Sequence, residues 1–356
     1  MSAWDLVVAP LVALAVLALF RFVGCASLLG IEDWDAKEGP SPTQPVPGAV
    51  DYPETVKADA PISYWRLQET HSAEPSPGPT VPNAPVSGGI AADEISNHND
   101  GTYKAVILHQ PPPSPLPADS PAAPGGLTLQ SAGLLEVAGQ QSTSLSVDGG
   151  YVEVPFSNFL LNLSSFSVEA LVRPEWSAAE KGLYRAVVTF CAIDLTPNAK
   201  KASGFGLFAG PADPQDPSSP DVWQIWLGDG TDFVPIKDSS QPLTLVDFVH
   251  TNYLLVTYDD VSKKLNMYVY IASANCDLDS GVVHPLKNLS VTIYSPVADQ
   301  TQSLLIGMHR PPIGAGVSGP FPVYHPFKGR IQEVALYGSA LSVGRVCAHV
   351  SASLNL

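Results

Sequence analysis

The stretch that decides the fold reads LSVDGGYVEVP at residues 145–155 and, after a short break, FSVEALVRP at residues 166–174. In the runs Tyr151–Val154 and Phe166–Val172, every second side chain falls on one face of a strand, which is the pattern of a half-buried antiparallel sheet. Asp148-Gly149-Gly150 supplies a turn before the first run, because glycine tolerates positive φ. A proline closes each stretch, since it cannot donate a hydrogen bond to a neighbouring strand. The two runs therefore predict consecutive β-strands.

Further short runs of β-branched and aromatic residues follow the opening stretch. Glycine, proline, aspartate and asparagine separate them at spacings near ten residues, which is typical of an all-β sandwich. Only Ser342–Ser351 predicts a short helix, and its first serine is able to cap it. The predicted strands are Tyr184–Ile193, Phe205–Phe208, Val222–Leu227, Phe233–Ile236, Tyr253–Tyr258, Leu265–Ile271, Leu289–Tyr294, Ser303–Ile306 and Gly329–Tyr337.

The composition argues against nucleic acid as a partner. Among 356 residues, 34 are acidic and 18 are basic, so the net charge is -16. Such a chain is repelled by phosphate backbones, and we expect no nucleic-acid binding. The 35 prolines and 28 glycines suit many short strands and long turns rather than a helical bundle.

The first 31 residues are apolar and predict a membrane segment. As a helix, Leu6–Ile31 would be about 39 Å long, enough to cross a hydrocarbon core of about 30 Å if Arg21 snorkels. Three interpretations are open: an uncleaved transmembrane anchor, a lipoprotein signal, or a cleaved signal peptide. The lipoprotein interpretation rests on Phe22-Val23-Gly24-Cys25, which is similar to a lipobox and would place the lipid on Cys25. The first two interpretations place the protein in the cell envelope with its folded part outside the cytoplasm.

The rest of the chain divides by composition. Residues 32–53 include a Pro-rich stretch that predicts a tether, and residues 54–356 predict one folded domain with Pro-rich insertions near 72–89 and 110–126. Of the cysteines after the membrane segment, Cys191 lies in an apolar strand and is interpreted as a buried thiol. Cys276 and Cys347 are the preferred disulfide pair, and three free thiols are the alternative.

Five segments resemble, in order, the markers of the laminin-G-like, concanavalin-A-like domains of bacterial surface proteins. The resemblance covers about residue 51 to the end and implies a jelly-roll sandwich of two curved antiparallel sheets. Lectins, adhesins, structural modules and glycoside hydrolases all use this fold, so the resemblance does not decide the function. The segments are Asp59–Glu69, Asn99–Tyr103, Ser146–Val152, Ser167–Pro174 and Phe327–Tyr337.

The resemblance also implies a possible structural calcium. Related domains often bind it through an Asp-Gly turn and an aspartate on the closing strand. Here Asp148 and the carbonyl groups near Gly149 would contribute ligands, but Gln332 stands where the second carboxylate is expected. Calcium needs six to eight oxygen ligands, so the missing carboxylate lowers the expected affinity. No other cofactor is predicted.

The sequence shows no recognisable catalytic motif. No strand carries a Glu-x-Asp-x-Glu pattern, and no Gly-x-Ser-x-Gly elbow is present. Glu153 and Glu169 stand in separate alternating runs and are interpreted as solvent-facing. The sequence therefore predicts that the protein is not an enzyme.

A non-catalytic binding module, which recognises a glycan or a protein, is the first functional hypothesis. The alternative is a structural or accessory subunit of a membrane complex or an extracellular appendage, docked through Leu6–Ile31. Aromatic side chains suit stacking on sugar rings and anchoring at interfaces. For each of them alone, packing in the core is the competing interpretation. The candidate binding residues are Trp176, Tyr184, Trp223, Trp226 and Tyr253.

Overall fold

The described part of the chain folds into two β-sheets that pack face to face. The predicted anchor Leu6–Ile31, with Cys25, lies outside the described residues, and so does the predicted tether up to residue 50. No helix within the described part has the length and apolar character needed to cross a bilayer. The computed structural model describes residues 51–69, 89–96, 99–105, 126–137, 140–161, 163–177, 180, 182–194, 201–213, 216, 219–236, 244–271, 287–290, 294–309 and 324–354.

Sheet A has eight strands, and all of its strand pairs are antiparallel. Its order is β14-β13-β12-β7-β17-β5-β4, and β1 pairs with the second half of β17. The strands are β1 (Ser63–Trp65), β4 (Gly126–Val137), β5 (Gln140–Asp148), β7 (Phe166–Pro174), β12 (Asn252–Asp259), β13 (Lys264–Ile271), β14 (Lys287–Ser290) and β17 (Lys328–Tyr337).

Sheet B has nine strands in the order β11-β10-β9-β8-β15-β6-β3-β2, and β16 also pairs with β8. The expectation of purely antiparallel sheets fails at one place, because β16 runs parallel to β8. The strands are β2 (Ile90–Ala91), β3 (Gly101–Ala105), β6 (Gly150–Val154), β8 (Tyr184–Asp194), β9 (Lys201–Pro211), β10 (Asp221–Gly228), β11 (Phe233–Pro235), β15 (Leu304–Ile306) and β16 (Tyr324–Pro326).

The main core lies between the sheets and follows the predicted alternation. On β7, Phe166, Val168, Ala170 and Val172 all belong to this core and are fully buried. The predicted turn at 148–150 joins β5 of sheet A to β6 of sheet B, and Gly149 has φ +90° there. The β-sandwich prediction is therefore confirmed.

Two helices cover the outer face of sheet A: α1 (Tyr52–Ala58) and α2 (Val343–Leu354). The α2 helix confirms the one predicted helix and extends it by three residues. The α1 helix was not predicted, because the Pro-rich interpretation was carried to residue 53. Pro53 in fact stands in the first turn of α1, where a missing N–H breaks no helical hydrogen bond.

The β4 strand was also not predicted. Its pairing with β5 shifts register between Thr128 and Ser131 and again between Ala132 and Glu136. The first irregularity adds one residue on β4 and moves the following side chains to the opposite face, and the second adds two residues. The period of two that identifies a strand is therefore interrupted twice. The β4 strand is therefore recognised from its hydrogen-bonded pairing with β5 and not from its own sequence pattern.

Candidate functional site

Two of the predicted binding aromatics are core residues. Trp223 is fully buried between the sheets, and its indole N–H donates to Asn252 Oδ1 at 3.0 Å. Tyr253 is fully buried beneath the terminal helices, and its hydroxyl donates to Glu169 Oε2 at 2.5 Å. Both rings are enclosed by the protein, so their contact with a ligand stays a prediction that nothing in their packing supports.

Trp176 lies in the main core. Its indole N–H donates to Asp221 Oδ2 at 3.1 Å, and the ring packs edge-on against Phe248 and Phe327. The guanidinium of Arg185 lies 5.1 Å from the ring centroid, within the range of a cation–π contact. Trp176 therefore fills a structural position in the core, and its binding role stays a prediction.

Tyr184 and Trp226 are the two predicted residues that the fold brings together. They lie on the outer face of sheet B, with ring centroids 5.3 Å apart at an interplanar angle of 79°. Phe208 and Phe233 complete this cluster, with centroids 5.6 and 5.9 Å from that of Trp226. We call these four residues the aromatic face.

Phe208 and Phe233 were missed by the sequence analysis. The signal was the alternation in β9, where Gly204, Gly206, Phe208 and Gly210 take the outward positions while Phe205 and Leu207 point into the core. A strand whose outward residues are mostly glycine leaves its backbone open for neighbouring rings to cover.

The rings occupy the space above these glycines. A Cβ at Gly210 would stand 2.4 Å from Tyr184 Cδ1, and a Cβ at Gly206 would stand 2.4 Å from Phe208 Cε2. Tyr184 and Trp226 are 6% and 5% exposed, and Phe233 is half-buried. A ligand that stacks on these rings must therefore increase their exposure as it binds.

The polar groups beside the aromatic face are the uncharged side chains of Gln224 and His309, together with the carboxyl side chain of Asp213 near Tyr184. Gln224 Oε1 accepts from the Trp226 indole at 3.2 Å, and Gln224 Nε2 donates to the Pro211 carbonyl at 2.9 Å. The ring of His309 lies 5.6 Å from Phe208, and burial lowers the pKa of His309 to about 3. Burial, with a smaller contribution from Asp213, raises the pKa of Tyr184. Around the rings there are thus a buried amide, a buried imidazole that is neutral at neutral pH, and one acidic side chain, Asp213.

The predicted calcium ligands, Asp148 and the carbonyl groups near Gly149, lie in the turn between β5 and β6. Asp148 is exposed, and Lys328 of the closing strand stands directly opposite it. Gln332 lies four residues further along β17, about 13 Å away for an extended strand, and its Oε1 accepts from the Leu134 amide at 2.7 Å. Gln332 thus provides no carboxylate near the turn, and the calcium site at Asp148 and Gly149 stays a prediction. Within the described ranges, no group of three or more His, Cys, Asp or Glu side chains is arranged to hold a metal ion.

The expected disulfide is not formed at Cys347. This residue carries a free thiol and packs as a half-buried apolar side chain of α2 against the cluster beneath the helices. Burial raises its pKa, which keeps the thiol protonated. Cys276 lies outside the described residues. Cys191 is buried, as interpreted from the sequence.

Glu169 is fully buried, so the interpretation of this residue as solvent-facing is wrong. It faces outward from sheet A, but α1 and α2 cover that position. Tyr253 and Tyr337 each donate a hydroxyl hydrogen bond to it at 2.5 Å, and His349 Nδ1 lies 3.0 Å from Oε2. His349 Nε2 lies 2.7 Å from Asp59 Oδ2. Glu169, His349 and Asp59 thus form one buried ion cluster.

The charges in this cluster neutralise one another. Burial alone would lower the pKa of His349, but the Glu169 carboxylate and the Asp59 hydrogen bond raise it to about 9. Burial alone would raise the pKa of Glu169, yet His349 and the two tyrosine hydroxyls lower it. Both ring nitrogens of His349 therefore donate, and the imidazolium has no free lone pair with which to act as a general base.

A pH dependence of stability follows from the raised pKa of His349. Because its pKa rises from 6.5 to about 9 on folding, its contribution is complete below pH 6.5 and is lost as the pH rises through about 9. A pKa change of this size corresponds to on the order of 3 kcal/mol. We therefore expect denaturant unfolding to show that the free energy of unfolding falls between pH 6.5 and about 9. His349→Gln is the control, and it should remove this slope. If the free energy of unfolding of His349→Gln falls with pH as steeply as that of the wild type, the pH dependence comes from other groups.

The carboxylate of a second buried acid, Glu333, also accepts hydrogen bonds from surrounding side chains. It stands at a bulge of β17 with φ +54°, and the hydroxyl of Tyr64 donates to it. Gln68 Nε2 donates to its Oε1 at 2.5 Å, and Arg66 Nε does so at 3.4 Å. Burial raises the pKa of Glu333. The carboxylate oxygens of Glu169 and Glu333 thus accept hydrogen bonds from the side chains that enclose them.

No protein-family model matches the chain. No curated protein matches it either. The laminin-G-like assignment accordingly stays a prediction, while the two-sheet architecture follows from the strand pairings.

Several solved structures are similar to the chain at low identity. Domain 4 of AbnA, an extracellular arabinanase from Geobacillus stearothermophilus, is 14% identical with a TM-score of 0.41, covering 72% of this chain and 91% of that one. An arabinofuranosidase complexed with arabinofuranosyl-xylobiose is 11% identical with a TM-score of 0.47, covering 86% and 65%. The sialidase module CBM40 of Ruminococcus gnavus, bound to sialyllactose, is 12% identical with a TM-score of 0.33, covering 52% and 80%. At these values the similarities carry no conclusion about function.

Proposed function

We propose that this protein is a membrane-tethered, non-catalytic binding module that recognises a neutral glycan on the outer face of sheet B. The aromatic face, Tyr184, Phe208, Trp226 and Phe233, carries this proposal. It collects four rings on one side of a sheet, whereas the opposite outer surface of the sandwich is closed by two helices.

The chemistry of the aromatic face favours a sugar. Pyranose rings present C–H groups that pack on aromatic faces, and their hydroxyls take hydrogen bonds from neighbouring amides and imidazoles. Gln224 and His309 pack beside these rings and are uncharged at neutral pH. They are 3% and 2% exposed, so a sugar reaches them only if binding increases their exposure, as it must for the rings. The net charge of -16 disfavours polyanionic ligands, so a neutral glycan fits better than an acidic one.

The non-catalytic part of the proposal is supported by the buried acids. Glycoside hydrolysis needs two carboxylates facing a shared substrate space. Glu169 and Glu333 are fully buried, and their oxygens accept hydrogen bonds from tyrosine, histidine and glutamine side chains. The tether belongs to the proposal on sequence grounds alone, through the apolar run Leu6–Ile31. Membrane fractionation of the full-length protein tests it.

The binding test compares full-length protein in mild detergent with the variants Trp226→Ala and Tyr184→Ala on an array of neutral and acidic glycans. We expect binding to neutral glycans, and a loss of about thirtyfold in affinity for Trp226→Ala, as for a central aromatic contact. Phe159→Ala is the matched control, since Phe159 is 52% exposed and lies outside the aromatic face. Circular dichroism establishes that each variant is folded.

Two results would contradict this proposal. One is absence of neutral-glycan binding by folded wild-type protein, with a protein partner captured instead and released by Trp226→Ala. The other is glycan binding that Trp226→Ala and Phe159→Ala change equally.

A further inference from the structure

We propose that α1 and α2 form one terminal helix pair that opens and closes on the outer face of sheet A as a unit, separately from the sandwich, with His349 as the residue that holds it closed. The pair joins the two ends of the folded domain. The device is independent of the glycan proposal, because it lies on the opposite sheet.

The α1 helix depends on α2 for its stability. It has seven residues and no side-chain hydrogen bond at its N-cap residue, Asp51. Helices of this length are not stable alone in water, so α1 persists only while docked. Its contacts with α2 include the Tyr52 and His349 rings, with centroids 6.2 Å apart, and the ion pair of Arg345 with Asp59 at 2.6 Å. Loss of α2 from the sheet would therefore release α1.

His349 connects three elements at one point. It lies on α2, its Nε2 contacts Asp59 at the end of α1, and its Nδ1 contacts Glu169 on β7. Removing the imidazole takes away the cation that lies between the two carboxylates, so that Asp59 keeps Arg345 and Glu169 loses its charged partner in the cluster. Since breaking a buried ion pair leaves an uncompensated charge, the helix pair can expose that charge to solvent by opening.

The apolar contacts under the helix pair are separate from the main core. Tyr52, Val56, Val346 and Val350 pack on sheet A with Tyr268 in a cluster that shares no residue with the core between the sheets. Opening the pair therefore leaves the packing between the sheets in place. The Tyr52 hydroxyl is buried and finds no hydrogen-bond partner among the described residues, which weakens the docking of α1.

The charge on His349 makes this opening sensitive to pH. The titratable groups that face it come from every packed element: Glu169 on β7, Tyr253 on β12, Tyr337 on β17, Tyr52 and Asp59 from α1, and Arg345 on α2. A neutral imidazole donates only one hydrogen bond, so it can no longer hold both carboxylates. Alkaline pH should therefore open the pair.

Amide hydrogen exchange of the full-length protein tests the inference. We expect amides of 52–58 and 343–354 to exchange with one common opening constant, faster than those of β7 and β8. His349→Gln should raise exchange in both helices by about tenfold or more and leave the sandwich unchanged. Raising the pH from about 7.5 to about 10 should do the same in the wild type after correction for intrinsic exchange. Lys57→Gln is the control, because Lys57 lies on α1 but makes partly exposed ion pairs, with Glu54 and Glu94, outside the His349 cluster.

Asp59→Asn provides a second variant if His349→Gln does not fold. It removes the α1 side of the cluster and should also accelerate exchange in both helices. The inference is overturned if α1 opens while α2 stays protected, or if both helices exchange only together with β7 and β8 by global unfolding.

Discussion

Glu169→Gln is expected to lower the free energy of unfolding by about 3–5 kcal/mol, the usual loss when one partner of a buried ion pair is removed. The amide that replaces the carboxylate brings a neutral N–H₂ group into a site that receives donors from Tyr253, Tyr337 and His349. It also leaves the His349 imidazolium with Asp59 as its one charged partner in the cluster. Denaturant unfolding measures the loss.

Glu153→Gln is the matched control for this substitution. Both glutamates stand in alternating strands of the decisive stretch, but Glu153 is half-buried and its contacts are a 3.9 Å ion pair with Lys104 and a hydrogen bond from Ser303. A change within about 0.5 kcal/mol is expected for such a site. Equal losses for the two variants would show that the Glu169 cluster contributes no more than a surface contact.

Gly204→Ala is expected to destabilise the protein by about 4 kcal/mol, near the upper end for single substitutions. Gly204 on β9 has φ +89°, which an alanine adopts only with strain. The added Cβ would also stand 2.0 Å from the carbonyl oxygen of Phe190. That oxygen belongs to the paired strand β8, so it cannot move without disturbing the ladder beneath the aromatic face.

Gly182→Ala separates the backbone strain of a positive φ from the steric clash of the added Cβ. Gly182 has φ +80°, and a Cβ there would meet no atom within 4 Å. Its substitution should therefore show only the conformational strain, about 1–2 kcal/mol. Thermal or denaturant unfolding of both variants provides the comparison. If Gly204→Ala lowers the free energy of unfolding no more than Gly182→Ala does, the β8 backbone moves away from the added Cβ at little cost, contrary to the expectation.

The fold was largely predictable because its signals are local. The alternation in Phe166–Val172 and the turn at Asp148-Gly149-Gly150 depend on nearest neighbours in the chain, and both appear as predicted. The same holds for α2 and for most strands after residue 184. The failures are elements whose pattern is interrupted, such as β4 with its two register shifts, or elements that begin inside a Pro-rich stretch, such as α1 with Pro53 in its first turn.

The candidate site was predictable only in part. Five aromatics were selected by residue type, yet their roles depend on the face that each strand turns toward the partner sheet. Trp223 and Trp226 are three positions apart on β10, which places them on opposite faces. Phe208 and Phe233 join Tyr184 and Trp226 only because β11, β10, β9 and β8 lie side by side.

Local sequence was therefore enough to establish an acidic, mostly β chain with a sandwich-type alternation, because the period of side chains along a strand is a property of the backbone itself. Only the tertiary structure decided that Glu169 is enclosed with His349 and Asp59, residues 180 and 110 positions distant. It likewise decided that one outer face is closed by helices and the other lined by rings. Both outcomes depend on which distant elements cover a surface, and that information is absent from any single stretch of the chain.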